Sequence, residues 1–282
     1  MPSLVTPIVS RLGYRHQFGR KKPALSLRVA KFNPAGRRTS AWREIWKTST
    51  PKGTCLYGLD MSVRDNGGAI GVVFGFPIFN VDPFRVVKSY AYFIEADIKT
   101  GAPTGAPVSL PFANDGSLMA CLVSPPAWNG SCWLVPASNV IYKSDGTTRH
   151  SAEALMFTVE DDALHTVSRI SLESRKDSSL TYREKWIAPN PGSATDRWLF
   201  LKESKEIPRA QQRLDRYQYA FRLLRLDADG RPVQTKTPAF GKLAHKLAYD
   251  PDYEVYIESD GFSPIVASDA SGKPKLFLSR LH

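Results

Sequence analysis

Four carboxylates, Asp60, Glu95, Glu184 and Glu254, stand inside runs that otherwise read as β-strands. A charge is unexpected there if both faces of the strand are packed. Two carboxylates rising from inner strands around a central channel are the equipment of a glycoside hydrolase, one as acid and the other as nucleophile or base. These four are therefore the catalytic candidates if the chain is a carbohydrate-active enzyme; the plainer account of each is a solvent-facing position on a sheet rim. Other chemistries find less support. His16, His150, His165, His245 and His282 are scattered without H-x-x-x-H or H-E-x-x-H spacing, so no metal is expected. No G-x-S-x-G elbow, P-loop or G-x-G-x-x-G is present, and no cofactor is expected. Trp42, Trp46, Trp128, Trp133, Trp186 and Trp198 could stack on sugar rings as in a lectin, although such residues more often pack between sheets.

Charge supplies a second kind of candidate. Residues 1–53 hold twelve Lys or Arg and one acid, Glu44, out of 38 basic and 27 acidic residues in the chain. The rest is formally neutral, so the first fifth of the sequence carries the whole net charge of +11. In SRLGYRHQFGRKK, residues 10–22, Arg11, Arg15, Arg20, Lys21 and Lys22 alternate with Tyr14, His16 and Phe18, and Arg37 and Arg38 follow after the next strand-like run. Guanidinium and ammonium groups mixed with rings suit phosphate contacts and base stacking. The same residues suit an acidic protein or a larger assembly. The expected partner is anionic, an acidic protein or nucleic acid, and the expected contacts are those seven cations.

Composition narrows the setting. The longest apolar run, AIGVVFGFPIF at 69–79, is half of the ~20 residues a membrane span needs. The N-terminus lacks the apolar stretch of a secretory signal, which favours a cytoplasmic location. Cys55, Cys121 and Cys132 have no metal-ligand spacing and are expected as free thiols; Cys121 and Cys132 flank a turn and could pair across it only in an oxidising compartment. Asn129-Gly130-Ser131 fits a glycosylation sequon, which matters only if the chain is secreted.

The elements that must position these residues are strands. Short runs rich in Val, Ile, Tyr, Phe and Trp alternate with Gly, Pro, Asn and Asp, and only PRAQQRLDRY, 208–217, reads as a short helix. In YAFRLLRLDADGRPVQTKTPAF, 219–240, two strands fold about Asp227-Ala228-Asp229-Gly230, with Gly230 free to take φ > 0 and the aspartates able to bond their own backbone. Comparable hairpins turn at Asn33, Asp97 and Asp161, giving spacings of 64, 64 and 66 residues. A second series of hairpins turns at Gly67, Gly130, Gly192 and Gly261, spaced 63, 62 and 69. Two landmarks sharing a period predict duplicated units of two hairpins each.

A four-stranded unit that cannot bury both faces alone stacks on its neighbours, and repetition about an axis gives a β-propeller. The expected fold is all-β: a propeller of four units near 24–88, 89–152, 153–216 and 217–282, after a basic arm at 1–23 that closes the ring or extends from it. An irregular β-sandwich or barrel is the alternative. The balance favours a binding scaffold whose basic arm engages the anionic partner over a hydrolase or lectin at the channel mouth.

Overall fold

The computed structural model describes residues 24–31, 35, 37–49, 59–63, 68–81, 84–112, 118–147, 149–161, 165–176, 180–190, 192–206, 217–236, 262–268 and 274–280. Among them every regular element is a strand. The candidate helix at 208–217 lies outside them except for Tyr217, which opens a strand.

Three sheets are continuous in sequence. The first joins β3 (Leu59–Val63), β4 (Ala69–Val81), β5 (Phe84–Asp97) and β6 (Val108–Ser109) in that order. The second runs β7 (Leu118–Val123), β9 (Cys132–Tyr142), β10 (Arg149–Glu160) and β11 (Val167–Arg175), with the short β8 (Ala127–Trp128) paired to β9. The third runs β12 (Leu180–Pro189), β13 (Arg197–Glu206), β14 (Tyr217–Leu226) and β15 (Pro232–Lys236). All pairings are antiparallel. Two further hairpins complete the described strands: β1 (Ala24–Val29) with β2 (Arg43–Ser49), and β16 (Phe262–Ser268) with β17 (Pro274–Arg280).

The sheets stack face on face, and the core explains why. Val72 and Ile94 face a cluster with Leu27, Val29 and Ile45 of the β1–β2 hairpin. Their neighbours Val73 and Phe93 face the opposite way, into a cluster with Trp133, Val135 and Phe157 of the second sheet. Leu134 and Met156 of that second sheet face Leu199, Leu201, Leu224 and Leu226 of the third. Side chains alternate across a strand, so a strand packed on both sides reads as a continuous apolar run rather than an alternating one. That accounts for AIGVVFGF and CWLV. Each fully buried Leu, Val or Phe contributes about 1.5–3 kcal/mol of transfer free energy, so each sheet is held chiefly by its neighbours.

This is a β-propeller arrangement, sequence-continuous antiparallel meanders stacked as blades. A Greek-key sandwich would instead exchange strands between two sheets.

The unit edges, however, fall elsewhere than expected. The expected boundary 88/89 lies inside β5, 152/153 inside β10, and 216/217 between β13 and β14 of one sheet. Those bounds put the turns at Asp97, Asp161 and Asp227 in the first hairpin of each unit, whereas they join the third and fourth strands of a sheet; Asn33 lies outside the described residues. Asp97 closes β5 before β6, Glu160 closes β10 with Asp161 just after it, and Asp227 follows β14. The period itself reappears in the second strands, which begin at Ala69, Cys132 and Arg197. The arm at 1–23 lies outside the described residues.

Candidate anion-binding site

The β1–β2 hairpin brings the described part of the basic segment against the turn after β5. The loop after β1 is pinned where Thr39 N–H donates to the Lys31 carbonyl (2.7 Å) and Lys31 N–H donates to Ser40 Oγ (2.8 Å). The opposing turn is built by Asp97, whose Oδ1 accepts from Thr100 N–H (2.6 Å) and Thr100 Oγ1–H (2.8 Å), while Gly101 N–H donates to the Asp97 carbonyl (2.7 Å). Gly101 has φ = +67°, and a Cβ there would stand 3.2 Å from Val29 Cγ2, so the chain needs glycine at this position both for conformation and for space. The Thr100 bonds to the ionised form hold the Asp97 carboxyl below its ordinary range.

Between loop and turn lies a cleft of about 400 Å³. Its base is apolar, from Val29, Ala30 and Ile98, and its walls carry Lys31, Arg43, Lys99 and the half-buried Trp42. Lys31 Nζ donates to the Lys99 carbonyl, drawing the two sides together. The Arg38 guanidinium sits 6.0 Å from the centroid of the Trp42 ring, within cation–π range. Among the described residues no carboxylate lines this cleft.

Of the seven cations expected to meet an anionic partner, Arg37 and Arg38 are exposed, and Arg38 meets the cleft through the Trp42 ring. Arg11, Arg15, Arg20, Lys21 and Lys22 lie outside the described residues. Lys31, Arg43, Lys99 and Trp42 were missed as a group. Their convergence depends on a contact between segments about sixty residues apart, and only the cation excess of the first fifth hinted at it.

The four carboxylates are not brought together among the described side chains. Glu95 is 6% exposed and accepts the Trp133 indole N–H at 2.6 Å on Oε2, with Thr104 Oγ1 at 3.3 Å from Oε1. It pairs across the ladder with Gly71, whose missing side chain admits the Trp133 ring, so the pair forms a socket for that indole. Glu95 thus reads as a structural acceptor between two sheets. Asp60 stands on β3 and Glu184 on β12, the first strands of their sheets, and neither side chain is among those described. Glu254 is outside the described residues altogether.

Glu95→Leu should therefore leave a buried indole donor unsatisfied and cost about 2 kcal/mol, while Glu95→Gln, which keeps an acceptor, should cost under about 1 kcal/mol. Denaturant midpoints would check this. Equal costs for the two variants would refute the acceptor role.

The remaining candidates resolve into structural parts. Trp46 packs on Phe74 (ring centroids 4.7 Å) and Trp133 on Trp128 (5.6 Å), while Trp198 is buried, so packing accounts for these four tryptophans. The Trp186 side chain is not described. His150 is exposed and His165 is buried at φ = +49°, the histidines at 16, 245 and 282 lying outside the described residues.

Asp227 accepts from Asp229 N–H (3.0 Å) and Arg231 N–H (2.8 Å), and Gly230 has φ = +78°, so the Asp-Ala-Asp-Gly stretch serves to turn the strand. Cys121 and Cys132 are free and lie in different core clusters, against the idea that they face one another. Their strands are adjacent, but the ladder pairs Cys121 with Asn139 and Cys132 with Glu160. Burial pushes the Cys121 thiol up to about 12, against a weaker opposing bond from Ser89. Burial also raises Cys132, which bonds to Asn129 and Ser131 oppose. Cys55 lies outside the described residues.

No protein-family profile matches the chain and no curated protein matches it. Solved structures do resemble it. A GH93 α-L-arabinofuranosidase of Fusarium graminearum is 14% identical over 91% of this chain and 77% of that one, with a TM-score of 0.40. An exo-1,5-α-L-arabinanase from a bovine ruminal metagenomic library is 12% identical over 77% of this chain and 70% of that one, with a TM-score of 0.39. The Dos1 propeller is 9% identical over 90% of this chain and 54% of that one, also at 0.39. Likeness of this degree carries nothing about residues or chemistry, and the propeller assignment above stands on the chain's own sheets.

Proposed function

We propose that the protein is a binding propeller whose cationic N-terminal fifth engages an anionic partner. The observation that carries this is the charge of the β1–β2 hairpin. Residues 24–49 include Arg28, Lys31, Arg37, Arg38, Arg43 and Lys47 against the single acid Glu44. Five of the six cations are exposed, and Lys31 is half-buried at the cleft. Arg28 shares Glu44 at 3.4 Å, an exposed pair of little energetic weight, so the surface potential stays positive. Such a field raises association rates with anions and loses strength with salt.

The test is binding of the full chain to single-stranded DNA, duplex DNA and an acidic polypeptide across 50–200 mM salt. The double variant Arg37→Glu/Arg38→Glu should bind the cognate polyanion at least about tenfold more weakly at the low end and show a salt slope smaller by about two. Binding that ignores both salt and the variant would sink the reading.

A second reading is a carbohydrate-active hydrolase with its site at the channel mouth. It draws support from Asp60 and Glu184, which share the first-strand position in two blades. Arabinan-type oligosaccharides, named for two of the neighbouring structures, are the first substrates to assay. Turnover abolished by Asp60→Asn and by Glu184→Gln would move this reading ahead of the first.

A further inference from the structure

We infer that the cleft between the β1–β2 loop and the turn after β5 binds a nucleoside phosphate unit, with Trp42 taking the base and Lys31, Arg43 and Lys99 the phosphate. This rests on the anion-binding reading and names the ligand class. Three features single out that class. The cations come from three separate places, the residue after Ala30, the start of β2 and the turn after β5, and converge on one volume of about 400 Å³, within the size range of small-ligand sites. The base of the cleft is apolar and the adjacent ring is half-buried, so a flat heterocycle can lose water on one side while stacking on the other. Arg38 over one face of the Trp42 ring adds positive charge beside the stacking site and leaves the opposite face for a base.

Competing anions use less of this. Polyphosphate has no ring for Trp42, and a neutral sugar has no use for three cations. The Lys31 ammonium has three N–H donors, one of which is spent on the Lys99 carbonyl, so two remain for phosphate oxygens. Asp97, in the turn that walls the cleft, has its Oδ1 turned to Thr100, and Glu44, next to Arg43, pairs with Arg28. The site is also preformed, because the Thr39–Lys31 and Lys31–Ser40 bonds hold one wall and the Asp97 turn holds the other. The phosphate unit could be a free mononucleotide or one residue of a single strand, since both present a base next to a phosphate.

The experiment is equilibrium binding of the full chain to inorganic phosphate, polyphosphate, adenosine and uridine monophosphate, an eight-nucleotide single strand and a neutral oligosaccharide. The mononucleotides or the strand should bind at least about tenfold more tightly than inorganic phosphate. Trp42→Leu should erase that advantage while leaving polyphosphate affinity unchanged, and Trp42→Phe should restore part of it. Lys99→Ala should weaken every anion. Far-ultraviolet circular dichroism and thermal midpoint monitor folding of each variant, and the Trp42→Phe rescue separates lost stacking from lost structure. Tight mononucleotide binding assigns a free ligand; binding of the strand alone assigns a polymer.

Equal affinity for phosphate and nucleotide, or an unchanged advantage in Trp42→Leu, overturns the inference, while salt-dependent polyphosphate binding would still leave the broader reading standing. Absence of any anion binding overturns both. Trp42-dependent binding of the neutral sugar, insensitive to salt, overturns both in favour of a carbohydrate site.

Discussion

Gly71→Ala is expected to destabilise the fold by about 3 kcal/mol, a large loss for a one-carbon change. Gly71 sits on β4 opposite Glu95, and a Cβ built there would lie 2.8 Å from Trp133 Cζ3, 2.9 Å from Trp133 Cε3 and 3.0 Å from Phe93 Cε2. None of these is the free end of a flexible chain. Both rings are fully buried, Phe93 lies against Trp133 at a centroid distance of 5.7 Å, and Trp133 is further held by Trp128 and by its bond to Glu95. Moving the indole by even half an ångström would lengthen its buried bond to Glu95, in a setting where hydrogen bonds are strong and their loss is costly.

Replacing a strand glycine normally gains up to about 1 kcal/mol through the unfolded chain, and here the clash outweighs that gain. Chemical denaturation should show a lower midpoint with an unchanged slope. Adding Trp133→Phe should recover part of the Gly71→Ala loss, a coupling of 1 kcal/mol or more of the kind contacting residues show. A Gly71→Ala protein within about 0.5 kcal/mol of the parent would mean the indole is not seated in this socket.

The second large effect is expected at Asn129, where alanine should cost about 3 kcal/mol. Its Oδ1 accepts from Ser131 N–H (3.0 Å), Ser131 Oγ–H (3.1 Å) and Cys132 N–H (2.9 Å), closing the turn into β9. Its Nδ2 donates to the Ala228 carbonyl at 2.6 Å, tying that turn to the β14–β15 hairpin of the next sheet. Asn129 is fully buried, so its loss leaves two backbone donors, Ser131 N–H and Cys132 N–H, and the Ala228 carbonyl short of partners, a buried group left so costing about 1–3 kcal/mol.

Other side chains bridge the same pair of sheets, Ser138 among them through the Tyr182 carbonyl at 2.8 Å. The buried Arg197 donates to the Trp128 carbonyl at 2.8 Å, and Arg222 links Glu173 of β11 to Glu203 of β13. With those ties intact, Asn129→Ala should unfold cooperatively at a lower midpoint. Amide exchange should quicken at 227–231 more than at β4 and β5. Exchange that quickens uniformly, or not at all, would show that Asn129 is no inter-sheet tie. The same geometry bears on the sequon, because the nitrogen a glycan would use is buried and already donating.

Much of the fold was legible because turns are local. Asp97 and Asp227 announce themselves by a side chain that bonds the backbone two to four residues on and by a glycine that can take positive φ, requirements satisfied within five residues of chain. Their spacing therefore revealed the period. It did not reveal where one blade ends, because a hairpin turn looks the same whether it joins the first two strands of a sheet or the last two. Only the ladder partners of β5 and β10 distinguish these cases.

Glu95 shows the limit on the chemical side. A carboxylate in a strand is equally suited to a channel wall or to an indole, and the choice was made by Trp133, 38 residues away and in another sheet. The cleft at Lys31, Trp42 and Lys99 is the same lesson in reverse. None of those residues stands out in its own neighbourhood.

By itself, then, the sequence determined what depends on near neighbours: strand periodicity, turn chemistry, the repeat of about 64 residues and the confinement of net charge to the first fifth. The tertiary structure decided what depends on which faces meet. Side chains alternate across a strand, so stacking one sheet between two others sends adjacent residues such as Val72 and Val73 into different cores. That stacking buries Glu95, seats an indole over Gly71, and gathers three cations and a tryptophan around one cleft.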